Sequence, residues 1–260
     1  MALIAMAVYD TVENKRTDYT KRTLESIYDT VDLSRHRMII VNNASCEATQ
    51  EVLSHYAETE GITVIYMSEN VGTANAINQA WKHRQKGENL IKMDNDVVIH
   101  QTGWVDELEE AIYYSKRLES PIGILGLKRK DLLESPDTKG FYKSTLIQLP
   151  HNPGERWFNV EICNHVMGTC QMYSADLIDV IGGLYQMGGL YGFDDSLASL
   201  RSQLAGFQNG FLNYIDIDHI DTGGTGYQKW KEEYASMFFL RYENIKNEFI
   251  RGEKPLYIPL

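Results

Sequence analysis

Short apolar runs alternate with amphipathic stretches through the first half of this chain, and that alternation leaves few folds open. Apolar runs occupy Leu3–Val8, Met38–Val41, Thr63–Met67 and Leu90–Met93. Runs of this length suit strands covered on both faces. Between them the pattern turns helical at Thr20–Thr30, Glu47–Glu60 and Thr73–Gln85. In the last, Ala74, Ile77, Asn78 and Trp81 share one face at i, i+3, i+4, i+7 spacing. A further, acidic helix is predicted from about Trp104 to Leu118. The order βαβαβαβ predicts a parallel sheet with helices on both faces.

Open sheets of this kind bind ligands outside the carboxyl ends of their strands. That rule gathers four polar turns into one crevice: Tyr9-Asp10-Thr11, Asn42-Asn43-Ala44-Ser45, Ser68-Glu69-Asn70-Val71-Gly72 and Asp94-Asn95-Asp96. The last is the most telling, because its two carboxylates stand between the apolar runs Leu90–Met93 and Val97–Ile99. Asp is disfavoured in strands. Hard divalent cations take oxygen ligands, typically one or two carboxylates plus substrate phosphates. A metal–phosphate site is one reading of this turn. A plain turn is the other, since Asp and Asn side chains bond nearby backbone. A calcium-binding helix–loop–helix is excluded, because Ile99 and Val105 stand where that loop needs Gly and Glu.

The second half is less regular. Pro121–Leu127 is predicted as a strand, followed by a polar segment of hairpin character through about Pro153. A helix is predicted from Asp176 to Ile181, then a turn-rich stretch at Gly182, Gly183, Gly188, Gly189 and Gly192. Asp194-Asp195 opens another helix with Leu197, Leu200 and Leu204 on one face, and a strand follows at about Gly210–Ile217. From Tyr227 to Arg251 the pattern is helical, charged and aromatic-rich. No linker composition divides the chain, which reads as one domain with a C-terminal helical extension.

Composition narrows the function classes. A net charge of -11 over 260 residues opposes nonspecific attraction to nucleic acid or anionic membrane, although a local basic groove stays open. Cys46, Cys163 and Cys170 show no metal-ligand spacing, and their odd number suits reduced thiols in the cytoplasm. The apolar opening Met1–Tyr9 lacks a basic flank and reads as a first strand rather than a signal peptide. No apolar stretch has the length of a membrane span.

Four segments, in order, resemble the family 2 glycosyltransferases, nucleotide-sugar enzymes of the GT-A fold. Ile39-Ile40-Val41-Asn42-Asn43-Ala44-Ser45 is similar to the family's V-D-D/N-G-S strand and turn. Asn70-Val71-Gly72-Thr73-Ala74-Asn75-Ala76-Ile77-Asn78 resembles N-x-G-x-x-x-A-x-N, and Asp94-Asn95-Asp96 resembles the D-x-D metal motif. Gly192-Phe193-Asp194-Asp195, with Arg201 and Gly206 downstream, is similar to G-[YF]-E-D-x-x-L-x-x-R-x-x-x-x-G. The resemblance covers roughly residues 2 to 222. The chain departs from the pattern at Asn42 and Asn43, where the family has a uracil-contacting Asp, at the Asp-Asp pair, and at Ala80 in place of Gly.

The resemblance implies a Rossmann-like, mostly parallel sheet flanked by helices over residues 1–222. Its nucleotide-binding half would span about 1–100 and its acceptor half about 101–222, with 223–260 a loop and helical extension. It implies donor contacts at Tyr9, Asp10, Asn42, Asn43, Asn70, Gly72, Asn78 and Asp94. It implies that Asp96 coordinates Mn²⁺ or Mg²⁺, with Asp94 on the ribose or in the metal's water shell and His219 as a second protein ligand. Asp216, Asp218 and Asp221 surround that histidine and could orient it instead. Asp195 would be the base of an inverting transfer and Asp194 its acidic partner, while helix N-capping is the competing reading of the pair. The donor would be a UDP- or GDP-sugar and the acceptor a hydroxyl.

Trp157, Phe158 and His165 fall where the family places acceptor-side residues, but core packing explains the aromatics equally well. Gly223-Gly224-Thr225-Gly226 is not a dinucleotide fingerprint and reads as a flexible loop, with Lys229 beside it as a solvated lysine or a phosphate contact. The C-terminal helix is a packing element or a homo-oligomer contact. Two other functions compete: a nucleotidyltransferase making a nucleotide-sugar, and a nucleotide-sugar or glycan binder without catalysis. The first class opens with a Gly-rich basic loop, which Tyr9-Asp10-Thr11-Val12-Glu13 lacks.

Overall fold

The structure is a computed structural model that describes residues 1–60, 62–130, 145–150, 157–221 and 226–260. Its first half holds β1 Ala2–Val8, α1 Thr17–Thr30, β2 Arg37–Asn42, α2 Glu47–Glu60, β3 Thr63–Tyr66, α3 Thr73–Trp81 and β4 Asn89–Met93. Next come β5 Val97–Ile99, α4 Trp104–Ser115, β6 Ile122–Arg129, β7 Thr145–Pro150, β8 Trp157–Cys163 and β9 Cys170–Tyr173. The chain ends with α5 Ala175–Ile181, α6 Asp194–Leu204, β10 Gln208–His219 and α7 Gly226–Ile250. Among the described residues no helix is long and apolar enough to cross a membrane.

One sheet runs through the molecule in the order β3-β2-β1-β4-β9-β6-β10-β8-β7, with β5 on β10. The four strands of the first half are parallel, with Val8 opposite Asn42, Met6 opposite Met93 and Asn42 opposite Tyr66. Their carboxyl ends therefore lie side by side. The core has two layers, as strand alternation demands. Ile4, Met6 and Val8 of β1 face Leu24 and Ile27 of α1 and Trp104 and Leu108 of α4. Leu3 and Ala5 face the other layer, with Ile77 and Trp81 of α3 and Leu177 of α5.

The predicted elements of the first half are present within a few residues of their expected bounds. β7 pairs antiparallel with β8, which lies beyond the segment expected to have hairpin character; of that segment, 131–144 and 151–153 lie outside the described residues, as do 154–156. Two strands carry no clear sequence signal. β9 is four residues long, and it inserts antiparallel between β4 and β6. Its polar Gln171 survives burial because its amide donates to Val166 O at 2.6 Å and accepts from the Tyr173 hydroxyl at 2.8 Å. β5 is three residues long and pairs antiparallel with the end of β10, setting His219 opposite Val97.

The C-terminal segment is built into the body. Ile245 and Phe249 of α7 pack on Leu197 of α6 and on Met187. Its outer face leaves Met237, Phe239 and Leu240 exposed. Beyond the helix, Ile258 bonds Gly183 and Ile181 through its main chain. Arg201 on α6 is fully buried and locks this segment down. Its guanidinium donates to Gly183 O at 2.9 Å, to Leu256 O at 2.6 Å and to Ile181 O. Burial without a carboxylate partner draws its pKa down to about 10. Arg201→Met removes the guanidinium donors from Gly183 O, Leu256 O and Ile181 O, the last of which keeps Ile258 N, so unfolding in urea is expected to show a loss of roughly 3 kcal/mol. A midpoint equal to wild type would show that the tail is held by other contacts.

Candidate active site

A crevice of about 1460 Å³ opens at the carboxyl ends of β1 and β4, where the parallel-sheet rule puts ligands. Tyr9, Asn43 and Asn70, from the turns of the first half of the chain, line one end of it. Asp94, Asp96 and His219 line one wall, His165, Asp194 and Asp195 another, and Trp230 and Lys231 of α7 reach in from above.

Asp96 is buried and heavily partnered on one side. Its Oδ2 lies 2.5 Å from Arg16 Nη2 and 3.3 Å from His219 Nε2. Arg16 turns its Nη1 to Asp221 Oδ2 at 2.6 Å, so one guanidinium ties the loop after β1 to both the β4 turn and the tail of β10. Asp96 Oδ1 is also buried and has no hydrogen-bond partner among the described residues. Burial opposes the charge of Asp96, but the His219 hydrogen bond and the charges of His219, Arg16 and Lys231 hold its carboxyl well below the ordinary range. Asp94 moves the other way: burial raises it, and the Lys92 ammonium offsets this only in part. The β5–β10 pairing delivers His219 here, because Ile220 N donates to Asp96 O at 2.9 Å.

The opposite wall is organised by a buried lysine. Lys92 on β4 sits 2.7 Å from Asp194 Oδ2. Burial disfavours its charge, yet Asp194, Asp94 and Asp195 together keep the ammonium well above its ordinary pKa. Asp195 accepts from Ser196 N at 2.7 Å on Oδ1 and from Gly168 N at 3.0 Å on Oδ2, and His165 Nε2 stands 3.2 Å from that same Oδ2. Burial raises the Asp195 carboxyl, but the His165 hydrogen bond and the charges of His165 and Lys92 outweigh this and hold it low. A Cβ on Gly168 would come within 2.5 Å of Lys92 Nζ, so a side chain there would have to displace the lysine from its place beside Asp194. Phe193, just ahead of the pair, takes the left-handed φ of 64° and stacks on Tyr242 at 4.5 Å. It holds the N-cap position of α6 with no side-chain cap bond, so neither aspartate is the N-cap residue.

Several residues expected at the donor lie behind the crevice rather than on it. Asp10 is fully buried and accepts from Thr20 at 2.6 Å and Asn95 at 2.9 Å, which braces the Asp94–Asp96 turn from below. Asn42 accepts from Ser45 N at 2.8 Å and shapes its own turn. Gly72 has a φ of 86° and packs on Gln186, where a Cβ would clash. Asn78 gives both ends of its amide to the main chain of Leu184, at 2.8 and 2.9 Å. Of the acids around His219, Asp221 holds Arg16, while Asp218 turns away to His100 at 2.8 Å. Phe158 is core, Trp157 is exposed, and Lys229 is exposed beside Glu233. Gly223, Gly224 and Thr225 lie outside the described residues. Arg16, Lys92 and Lys231 were not foreseen: a lone basic residue in a loop, an apolar strand or a charged helix carries no positional signal.

A second group of possible metal ligands, His36, Asp106 and Glu109, sits at the opposite edge of the sheet. His36 Nδ1 accepts from Ala2 N at 3.2 Å, so in the neutral ring Nε2 bears the proton and faces Asp106 at 3.3 Å. A protonated nitrogen is a donor, not a ligand. This cluster is a hydrogen-bonded tie.

The glycosyl transferase family 2 model matches residues 5–119, the segment that carries β1 to β4 and the Asp94–Asp96 turn. An uncharacterised protein, y4gI, of Sinorhizobium fredii (strain NBRC 101917 / NGR234) is 22% identical over 232 residues, covering 83% of this chain and 24% of its own length. Among solved structures, a mannosyltransferase from Pyrobaculum calidifontis in complex with GDP-Man and Mn²⁺ aligns with a TM-score of 0.61 at 18% identity, covering 88% of this chain and 59% of that one. TarS 1–349 of S. aureus, in complex with UDP, aligns with a TM-score of 0.59 at 15% identity, covering 84% and 60%. GalNAc-T7 with UDP, GalNAc and Mn²⁺ aligns at 0.61 and 12% identity, covering 84% and 43%. The chain thus has the GT-A fold, and it spans about a quarter of the curated relative and about 60% of the first two solved chains.

Arg16 is a counter-ion shared by two buried carboxylates, Asp96 and Asp221. Arg16→Met is expected to lower the unfolding free energy by about 3–5 kcal/mol, because Asp96 and Asp221 lose a shared counter-ion. Arg16→Lys should recover part of this, since one ammonium cannot span both carboxylates as a guanidinium does. Urea titration measures both, and a wild-type midpoint for Arg16→Met would count against the bridge.

Proposed function

We propose that the protein is a glycosyltransferase that moves a sugar from a nucleoside diphosphate donor to a hydroxyl acceptor, with inversion at the anomeric carbon. One juxtaposition carries this reading: Asp94, Asp96 and His219 face Asp194, Asp195 and His165 across a single crevice at parallel strand ends. The match of residues 5–119 to the glycosyl transferase family 2 model supports the reaction class. Solved proteins of the same fold that hold GDP-Man with Mn²⁺, or UDP, support a nucleoside diphosphate sugar as donor.

The residues fit a divalent cation. Asp96 offers a buried oxygen without a hydrogen-bond partner, His219 an imidazole nitrogen beside it, and Asp94 a second carboxylate on the same turn. Such a donor set suits Mn²⁺ or Mg²⁺. A bound ion there would supply Lewis-acid neutralisation of the departing diphosphate. Lys231 adds positive charge on the same side, since both Asp94 and Asp96 feel its field. In this reading residues of about 1–100 hold the nucleotide, with Tyr9, Asn43 and Asn70 at its base and ribose, and about 101–222 hold the acceptor. Asn43 is already engaged, donating to Asn70 Oδ1 at 2.8 Å and accepting from Val71 N at 2.9 Å. What remains of its amide can present both a donor and an acceptor to a base edge. The acceptor oxygen attacks the anomeric carbon from the Asp195 side as the diphosphate leaves on the other.

Thermal unfolding with UDP or GDP, each with and without Mn²⁺, tests the donor assignment. One of the two is expected to raise the midpoint, and more so with Mn²⁺. Asp96→Ala should weaken the Mn²⁺-dependent part by about tenfold or more. Asp195→Asn should keep nucleotide affinity while turnover falls roughly 10²–10⁴-fold. No nucleotide effect under any of these conditions would sink the glycosyl-transfer reading.

A further inference from the structure

Asp195 is an awkward base by itself. Both of its oxygens already accept fixed main-chain donors, Ser196 N on Oδ1 and Gly168 N on Oδ2. A carboxylate held by two N–H groups and an imidazole is a stabilised anion with little appetite for a proton. The group it holds is better placed. The His165 side chain is 36% exposed, more open to the crevice than the 23% of Asp195. Its Nε2 is committed to Asp195 Oδ2 at 3.2 Å and Ser196 Oγ at 3.4 Å, and Nδ1 has no hydrogen-bond partner among the described residues. A carboxylate against one ring nitrogen fixes the tautomer, so the proton sits on Nε2 and the lone pair on Nδ1.

Resting on the glycosyl-transfer reading above, we infer that His165 and Asp195 work as a dyad, in which His165 Nδ1 takes the acceptor's proton and Asp195 orients the ring. The bond from acceptor oxygen to anomeric carbon forms. The bond from that carbon to the diphosphate oxygen breaks, its electron pair leaving with the diphosphate, and the hydroxyl proton passes to Nδ1. Asp195 then stabilises the imidazolium and becomes a positioning residue. The groups around the ring favour this use. Asp195 and Asp194 on α6 stabilise its cation, Lys92 on β4 opposes it, and Tyr242 on α7 reaches Ser196 beside it. Burial lowers the affinity of the imidazole for a proton, but the hydrogen bond and charge of Asp195 more than compensate and raise it above the ordinary histidine value. A base whose pKa lies near the working pH serves best.

The test uses the full chain with Mn²⁺, UDP-GlcNAc and GDP-Man as donors, water as acceptor, and release of the nucleoside diphosphate as readout. His165→Gly is expected to cut kcat by roughly 10²–10⁴-fold, with UDP or GDP affinity unchanged by calorimetry and about tenfold recovery on adding free imidazole. In wild type, kcat/KM should fall as pH drops through a value above that of free histidine, and this limb should vanish in His165→Gln. His165→Gln turnover within about threefold of wild type would overturn the dyad and leave Asp195 as sole base. Loss of activity in His165→Gly without imidazole recovery, with the acid limb intact in His165→Gln, would also overturn it. If wild type neither binds UDP or GDP nor releases either from its sugar, the glycosyl-transfer reading itself fails, and the dyad with it.

Discussion

The parallel register of β1 between β2 and β4 is the constraint on which the rest of the structure depends. It brings Val8, Asn42 and Met93 to one edge, so the turns that follow them meet without any further instruction. Parallel strands need crossovers, and the amphipathic helices supply them while covering both faces of the sheet. Every polar group argued to act here is hung on that edge or brought to it. Asp10 shows how tightly the edge is made: it is buried beneath the Asp94–Asp96 turn and bonded to Asn95.

An edge so rich in carboxylates has an electrostatic problem. Like charges about 4 Å apart repel by about 4 kcal/mol at the effective dielectric near a protein surface. The fold answers with cations from within. Lys92 lies 2.7 Å from Asp194, and Arg16 spans Asp96 and Asp221. The crevice is therefore two balanced walls rather than one acidic patch. Each wall keeps a particular group turned toward the cleft, Asp96 with His219 on one side and Asp195 with His165 on the other. The C-terminal helix closes the arrangement, bringing Lys231 and Trp230 to the opening.

Much of the fold was legible along the chain, for a physical reason. The four parallel strands and their helices bury continuous apolar runs and apolar stripes, and burial is what writes periodicity into a sequence. Asp94, Asp96, Asp195 and His219 stood out in the sequence as polar groups beside strand and helix ends, and the structure brings all four to one crevice. β9 escaped because four residues hold too little pattern, and its Gln171 hides a polar group that only its partners Val166 and Tyr173 make tolerable. Asn78 misled in the opposite direction: it belongs to a recognisable motif, yet both ends of its amide are spent on Leu184.

By itself, then, the sequence determined the layered α/β architecture, the strand ends at which the crevice opens, and the residue types available there. Those follow from local periodicity and from the rule that strand ends form the crevice. Only the tertiary structure decided which groups touch. Arg16 and Asp221 are far apart along the chain and 2.6 Å apart in space, and His165 meets Asp195 only because β9 and α6 bring their loops together. Pairing of buried charges is settled by distances of a few ångströms between distant segments, and no local pattern in a chain encodes that.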